Sequence, residues 1–282
     1  MYEKKEVDPT SWLEVASITT IETTNQPPPR AQQLYIASQL SDIRAWLNAP
    51  VRDDMIIEIE LLALAFSTGM QDATTYPNHF CFTSNQTGNT IFLSVGVTGI
   101  EPSKGFSFPN IGFALSLFLI GAFMMGQMGN IIGTRRRLWL LASNIMQTLM
   151  VISAAIVAYS VPVATTGPSA WAILSLLAFS SGGQVAMARG LKITEITTAM
   201  ATSAYVDVLV DPMLWSFHNR PRNRRVAFLL TLCAGSFAGA YSHRNLNPSF
   251  ALVLSAIIKT GVTIAFVFNR GVPASGPARS EP

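Results

Sequence analysis

Charge is what this sequence has least of. Only 12% of its 282 residues are Asp, Glu, Lys or Arg, against roughly 25% in an ordinary soluble domain. So little charge cannot clothe a water-facing globule, and 49% of the chain is hydrophobic. Cysteine is nearly missing. Cys81 and Cys233 are too few and too far apart for a disulfide framework or a metal site, which leaves two small buried residues as the plain reading. The three histidines, His79, His218 and His243, are scattered and supply no Ser-His-Asp set. There is no Walker-type or dinucleotide glycine pattern and no HExxH. The expectation is therefore no enzyme, no nucleotide-driven pump and no cofactor. The net charge of +3 comes without a basic patch interleaved with aromatics, so nucleic acid is not an expected partner. The N-terminus lacks a short basic region followed by an apolar core, so no cleavable signal peptide is expected.

Long apolar runs are what the sequence does have. A spanning helix needs about 20 mostly apolar residues, and six segments meet or approach that: 55–74, 111–132, 138–161, 171–191, 226–241 and 250–268. The first carries Glu58 and Glu60 near its start, where they can stay in the headgroup layer. Two more segments, 82–99 and 196–210, are the length of a short span but rich in Thr, Ser and Gly. Lys and Arg in short loops favour the cytoplasmic side. If all eight segments cross, Arg135-Arg136-Arg137 and the cluster Arg220, Arg222, Arg224 and Arg225 fall on opposite sides. If the two Thr-rich segments dip in and return, both clusters share a face with the N-terminus and Arg270. Irregular backbone at that depth must be buried in protein or line a wet cavity. Ordinary weak spans packed by small residues are the rival.

The expected fold is all-α: a polytopic transmembrane helical bundle of about six spanning helices plus two short polar, re-entrant helical segments, arranged as a 3+3 inverted repeat. Its parts are a cytoplasmic tail (1–50, mostly disordered, with an amphipathic helix at 34–47), a first membrane repeat (51–161), a second (162–270) and a disordered tail (271–282). The location is a membrane, crossed several times, with both termini cytoplasmic. The repeat rests on Gly69-Met70-Gln71-Asp72-Ala73 matching Gly182-Gly183-Gln184-Val185-Ala186, and Thr87-Gly88-Asn89 matching Thr202-Ser203-Ala204. Inverted repeats are common in transporters, whose sites form from broken helices at the repeat interface.

Those same residues resemble a family. Gln71-Asp72-Ala73 after an apolar helix, Thr87-Gly88-Asn89-Thr90, a second Gly-Gly-Gln and a Thr-rich segment ending in Asp207 are similar to the YoaK family, also known as DUF1275, bacterial and fungal membrane proteins of undefined activity. The resemblance covers residues 55–269, and the long polar tail and TSNQTGN wording look like a fungal member. The family's Gly-x-x-Asp-Ala falls on Gly69, Asp72 and Ala73, and its Thr-Gly-Asn on Thr87, Gly88 and Asn89. Where its second half usually shows Thr-Gly, this chain has Thr202-Ser203. The resemblance implies a membrane location and a fold, not an activity.

The substrate-binding candidates are Gln71, Asp72, Thr87, Gly88, Asn89, Thr90, Gln184, Arg189, Thr202 and Asp207. A carboxylate such as Asp72 at the end of a membrane helix is costly unless paired or hydrated, and such residues are often functional. The plain alternative is a cap for the turn at Tyr76-Pro77. Arg189 could pair with Asp72 or Asp207, or merely mark a cytoplasmic helix end. Thr87, Gly88 and Asn89 put a hydroxyl, an open backbone and an amide within one turn, able to hold a polar ligand or to pack a neighbouring helix. Gln71 and Gln184 would face each other across a pseudo-twofold axis. Gln127 and Asn130 read as a helix-packing surface. Lys259 could snorkel or neutralise an acid. The leading function is a secondary transporter or channel-like carrier of a small polar solute or ion. The alternative is a non-transporting membrane scaffold or sensor. The lipid bilayer, that solute and further copies in a homo-oligomer are the expected partners.

Overall fold

A computed structural model describes residues 30–99, 106–162 and 164–272. The parts of the expected tails at 1–29 and 273–282 lie outside the described residues. The chain divides into two units, 1–44 and 45–282. The first is described by the start of α1 (Arg30–Asn48), where the expected amphipathic helix falls and where Ile36, Leu40 and Ile43 are all exposed.

The second unit holds α2 (Met55–His79), α3 (Gln86–Val97), α4 (Phe108–Ile132), α5 (Arg137–Ser160), α6 (Pro168–Gly190), α7 (Ala201–Leu209), α8 (Arg220–Asn245) and α9 (Pro248–Phe268). Polar side chains start several of them. Asp54 accepts from the Ile56 and Ile57 N–H groups at the head of α2, and Asn219 from Arg222 N–H at the head of α8, satisfying donors that a first helical turn leaves free. Five helices, α4, α5, α6, α8 and α9, are long and apolar enough to cross a membrane. Helix α2 has 25 residues but carries Glu58, Glu60 and Asp72.

Contacts at the helix ends fix direction. At the near end, Val51 N–H donates to Arg135 O, Arg137 donates to Trp46 O and Asn269 O, and Arg220 and Arg224 pair with Glu58. At the far end, the Asn110 amide donates to His79 O and Thr165 O, His243 bonds Asn78, and Ser249 donates to Ala158 O. The six long helices therefore alternate in direction, and both Arg clusters lie at one end. Helices α3 and α7 do not traverse the bundle. Each returns to the end its chain came from, since Gly96 of α3 packs on Phe108 and Asp207 of α7 pairs with Arg225.

Helix α2 packs along α8 and α6 along α4, and in each case the backbones touch. A Cβ on Gly69 would lie 2.3 Å from Leu232 O and one on Gly235 2.1 Å from Phe66 O; one on Gly182 would lie 2.1 Å from Phe118 O and one on Gly121 2.4 Å from Phe179 O. Close approach through small residues is how helices associate where water supplies no driving force. Polar side chains share the interior with the hydrophobic core, and many large apolar ones face outward. Gln71, Gln147, Gln184, Ser255 and Lys259 are buried, while Leu119, Phe123, Ile131, Leu149, Ile257 and Phe268 are exposed. An apolar exterior of that extent fits lipid rather than water.

Near the start of α2, Glu58 is ion-paired to Arg220 and Arg224, and Glu60 is 3% exposed. One expectation needs correction. Gln127 and Asn130 do not pack helices: Gly121, Met125 and Gly129 take the buried face of α4, and the two amides line a side cavity of about 470 Å³.

Candidate functional site

Helix α2 ends at Phe80, which adopts a left-handed conformation (φ 53°) and turns the chain back along its own helix. The returning segment is held by Asp72. One carboxylate oxygen accepts from Thr83 N–H (2.8 Å), Thr83 Oγ1 (2.9 Å) and Ser84 N–H (3.0 Å), and the other from Ser84 Oγ (2.5 Å). Asn89 then staples α3 to its entry, accepting from Phe82 N–H (3.1 Å) and donating to Phe82 O (2.7 Å). Helix α3 thus begins level with Asp72, inside the bundle.

Helix α7 has a parallel entry with other chemistry. Lys192 (φ 59°) and Thr198 (φ 64°) turn the chain, and Thr197 Oγ1 bridges to both polar backbone groups of Met200. No carboxylate stands where Asp72 stands in the first dip, because Val185 occupies the matching place. The buried Thr198 hydroxyl has no partner among the described residues. Charge on the far side of α7 holds it instead, Arg225 pairing with Asp207 (3.4 Å) and Asp211 (3.8 Å).

The starts of the two short helices meet around one cavity of about 970 Å³. Asp72, Ser84 and Thr87 line it from the first dip, Met200, Thr202 and Ser203 from the second, and Arg189, Cys233 and Ser236 complete its wall. The Arg189 side chain makes no ion pair among the described residues; its guanidinium bonds Met200 Sδ at 3.8 Å. The cavity wall therefore carries a guanidinium and a carboxyl, Arg189 and Asp72, together with the N-terminal ends of α3 and α7, where helix dipoles favour anionic groups.

Behind that wall lies a buried polar centre. Lys259, 1% exposed, donates to Gln184 Oε1 (2.7 Å) and Gln147 Oε1 (3.2 Å), with no carboxylate near among the described residues. Gln184 donates to Thr68 (2.9 Å), and Gln71 donates to Ser255 (2.8 Å) and Ser67 (3.2 Å).

Asp72, Thr87, Arg189 and Thr202 all line this one cavity. Others are placed elsewhere. Gln71 and Gln184 belong to the buried centre and bond hydroxyls and Lys259 rather than facing each other. Asn89 is consumed in its staple, Gly88 packs on the Phe82 ring, and Thr90 donates to Gln86 O. Asp207 serves Arg225, not Arg189. Lys259 neither snorkels nor neutralises an acid. Sequence reading missed Gln147, Ser143 and Ser255; the available signal was a polar pair four apart in the last apolar run of each half, Ser143/Gln147 and Ser255/Lys259.

The two cysteines offer a contrast. Burial, and then the neighbouring Asp72 carboxylate, push the Cys81 thiol up to about 12, whereas Cys233 is exposed on the cavity wall. Since the thiolate is the reactive form, a small polar maleimide is expected to label Cys233 and spare Cys81. Mass spectrometry of the labelled protein reads this directly, and silence at Cys233 would mean that lipid fills the cavity.

Residues 61–265 match the family described as "Protein of unknown function (DUF1275)". No curated protein and no solved structure matches the chain significantly.

Proposed function

The chain belongs to the DUF1275 family, whose function is undefined, and from that premise and the geometry of its cavity we propose that it is a membrane carrier of a small polar solute. The six long helices are its crossings, and α2–α5 and α6–α9 form the two halves of an inverted repeat. Supporting this, α2 packs on α8 as α6 packs on α4, through glycines at matching places. The end bearing Arg135–Arg137 and the Arg220–Arg225 cluster is the cytoplasmic one, by the bias of Lys and Arg to that side.

One observation carries the reading: two interrupted helices, entering from opposite ends, start at a shared cavity lined by Asp72, Thr87, Arg189 and Thr202. Broken helices meeting between repeats are how many secondary transporters build a site. Their N-terminal ends and Arg189 favour a solute with an anionic group. Asp72 acts as a positioning residue, fixing α3 so that Thr87 faces the cavity. Rocking one half against the other would expose the site alternately to the two sides.

The test is a solute-uptake screen on a strain lacking the protein, followed by the variants Thr87→Val, Thr202→Val and Arg189→Gln. Each is expected to slow uptake roughly tenfold or more, the effect of about 1.4 kcal/mol of lost contact, with membrane abundance unchanged. Wild-type uptake in all three would favour the scaffold or sensor role.

A further inference from the structure

The near end of the bundle holds a second buried polar group that the cavity does not use. Glu60, on α2, and Asn269, which caps α9, are each 3% exposed. They share one hydrogen bond, Asn269 Nδ2 to Glu60 Oε2 at 2.7 Å. The remaining oxygen of each group, Glu60 Oε1 and Asn269 Oδ1, is buried without a partner among the described residues. Two orphaned oxygens on two groups already joined make a specific pattern. An ionised carboxylate can only accept, so it leaves Asn269 Oδ1 unsatisfied and adds a buried charge with no cation to balance it. A protonated carboxyl has one O–H to donate, and carried on Oε1 it can serve the amide oxygen of the residue that Oε2 already accepts from. Acid and amide then bond twice, each as donor and acceptor, and both orphans vanish together.

The charged surroundings do not offer another solution. On its own helix, Asp54 is engaged in capping and adds a like charge, and Glu58 is taken by Arg220 and Arg224 of α8. From α5, Arg137 donates to the Asn269 backbone carbonyl and to Trp46 O (2.8 Å), and stacks 4.3 Å from the Trp46 ring. It fixes the Asn269 backbone yet makes no ion pair with Glu60 among the described residues. Beyond α9, Arg270 contributes only its carbonyl, to Arg52 N–H. Burying a carboxylate without a partner is expensive, and such groups take up a proton instead.

We infer that Glu60 and Asn269 form a proton-binding site in which Glu60 is a neutral acid bonded through both of its oxygens to the Asn269 amide. The proton comes from water and returns to it, and no other bond is made or broken. The inference deepens the carrier reading, on which it rests for its role: a buried carboxyl that gains and loses one proton is what coupling solute movement to a proton gradient requires. Its occupancy, however, can be measured without any solute.

Infrared spectra of the purified protein in lipid vesicles, compared with those of Glu60→Gln, supply that measurement. The wild type is expected to show the C=O stretch of a protonated carboxylic acid, shifted in heavy water and lost in the variant. Glutamine accepts from the Asn269 amide through its oxygen and donates its N–H to Asn269 Oδ1, keeping both hydrogen bonds, so Glu60→Gln should fold and melt like the wild type, and Glu60→Ala should melt lower. Glu60→Gln should also lose any dependence of uptake on pH. A carboxylate band at Glu60 at neutral pH would overturn the inference, and one that moves with sodium would assign the site to a metal cation. Melting of Glu60→Gln as low as Glu60→Ala would also overturn it. An acid band without measurable uptake would keep the proton site and remove the carrier.

Discussion

Gly182→Leu is expected to leave little folded protein in the membrane. A Cβ there would meet the carbonyl oxygen of Phe118 at 2.1 Å and the Ala122 nitrogen at 2.9 Å, and both are backbone atoms that cannot swing aside. Overpacking an ordinary core costs about 1–3 kcal/mol because side chains can shift. Here α4 and α6 would have to separate along their length, and in lipid no hydrophobic force presses them back together. Gly112→Leu is the matched control, since nothing lies within 4 Å of its added Cβ. The measurement is the yield and melting temperature of the detergent-extracted protein. If the two variants behave alike, the close helix crossing is not what holds the bundle together.

Asp72→Ala should be the most damaging polar substitution, and Asp72→Asn far milder. The alanine leaves two backbone N–H groups and two hydroxyls of Thr83 and Ser84 without their acceptor. Hydrogen bonds to a charged group are worth roughly 1.5–3 kcal/mol each, so even partial rescue by water leaves a loss of about 3 kcal/mol or more. Asparagine keeps an oxygen for the Thr83 and Ser84 amides and can donate its own N–H to Ser84 Oγ. Thermal melting ranks the two variants, and hydrogen exchange at Thr83 and Ser84 reports whether the entry to α3 has opened. Equal behaviour of the two variants would mean that Asp72 acts through its charge rather than as an acceptor.

The layout of the bundle could be read from the chain because lipid imposes a length. Only a run of about 20 apolar residues can cross, and the Thr-rich runs at 82–99 and 196–210 were marked as exceptions by where the arginines fall. The site was half readable. Thr87, Arg189 and Thr202 stand beside apolar runs, where polar residues are conspicuous, and all three line the cavity. Asp72 was visible, but its work was not, since its partners lie 11 and 12 positions on and only the reversal at Phe80 brings them back. Gln147, Ser255 and Lys259 lay inside the apolar runs of α5 and α9, and the spacing of the polar pairs alone does not reveal that the two helices bring them into one buried centre. Glu60 looked peripheral by its position near a helix start. It is interior because the strands of chain at 50–52 and 270–272 fold over that end, Val51 N–H bonding Arg135 O and Val272 N–H bonding Pro50 O.

The two short helices are tethered by different chemistry, an ion-pair cluster for one and neutral donors on a carboxyl for the other. Arg225 and its two aspartates sit where ions compete; Asp207 keeps half of its side chain exposed, and such pairs weaken as counterions accumulate. The clasp on Asp72 is four short hydrogen bonds from neutral donors, which added salt weakens far less than an exposed ion pair. Ionic strength therefore acts on this protein from one side, easing the second dip while leaving the first fastened.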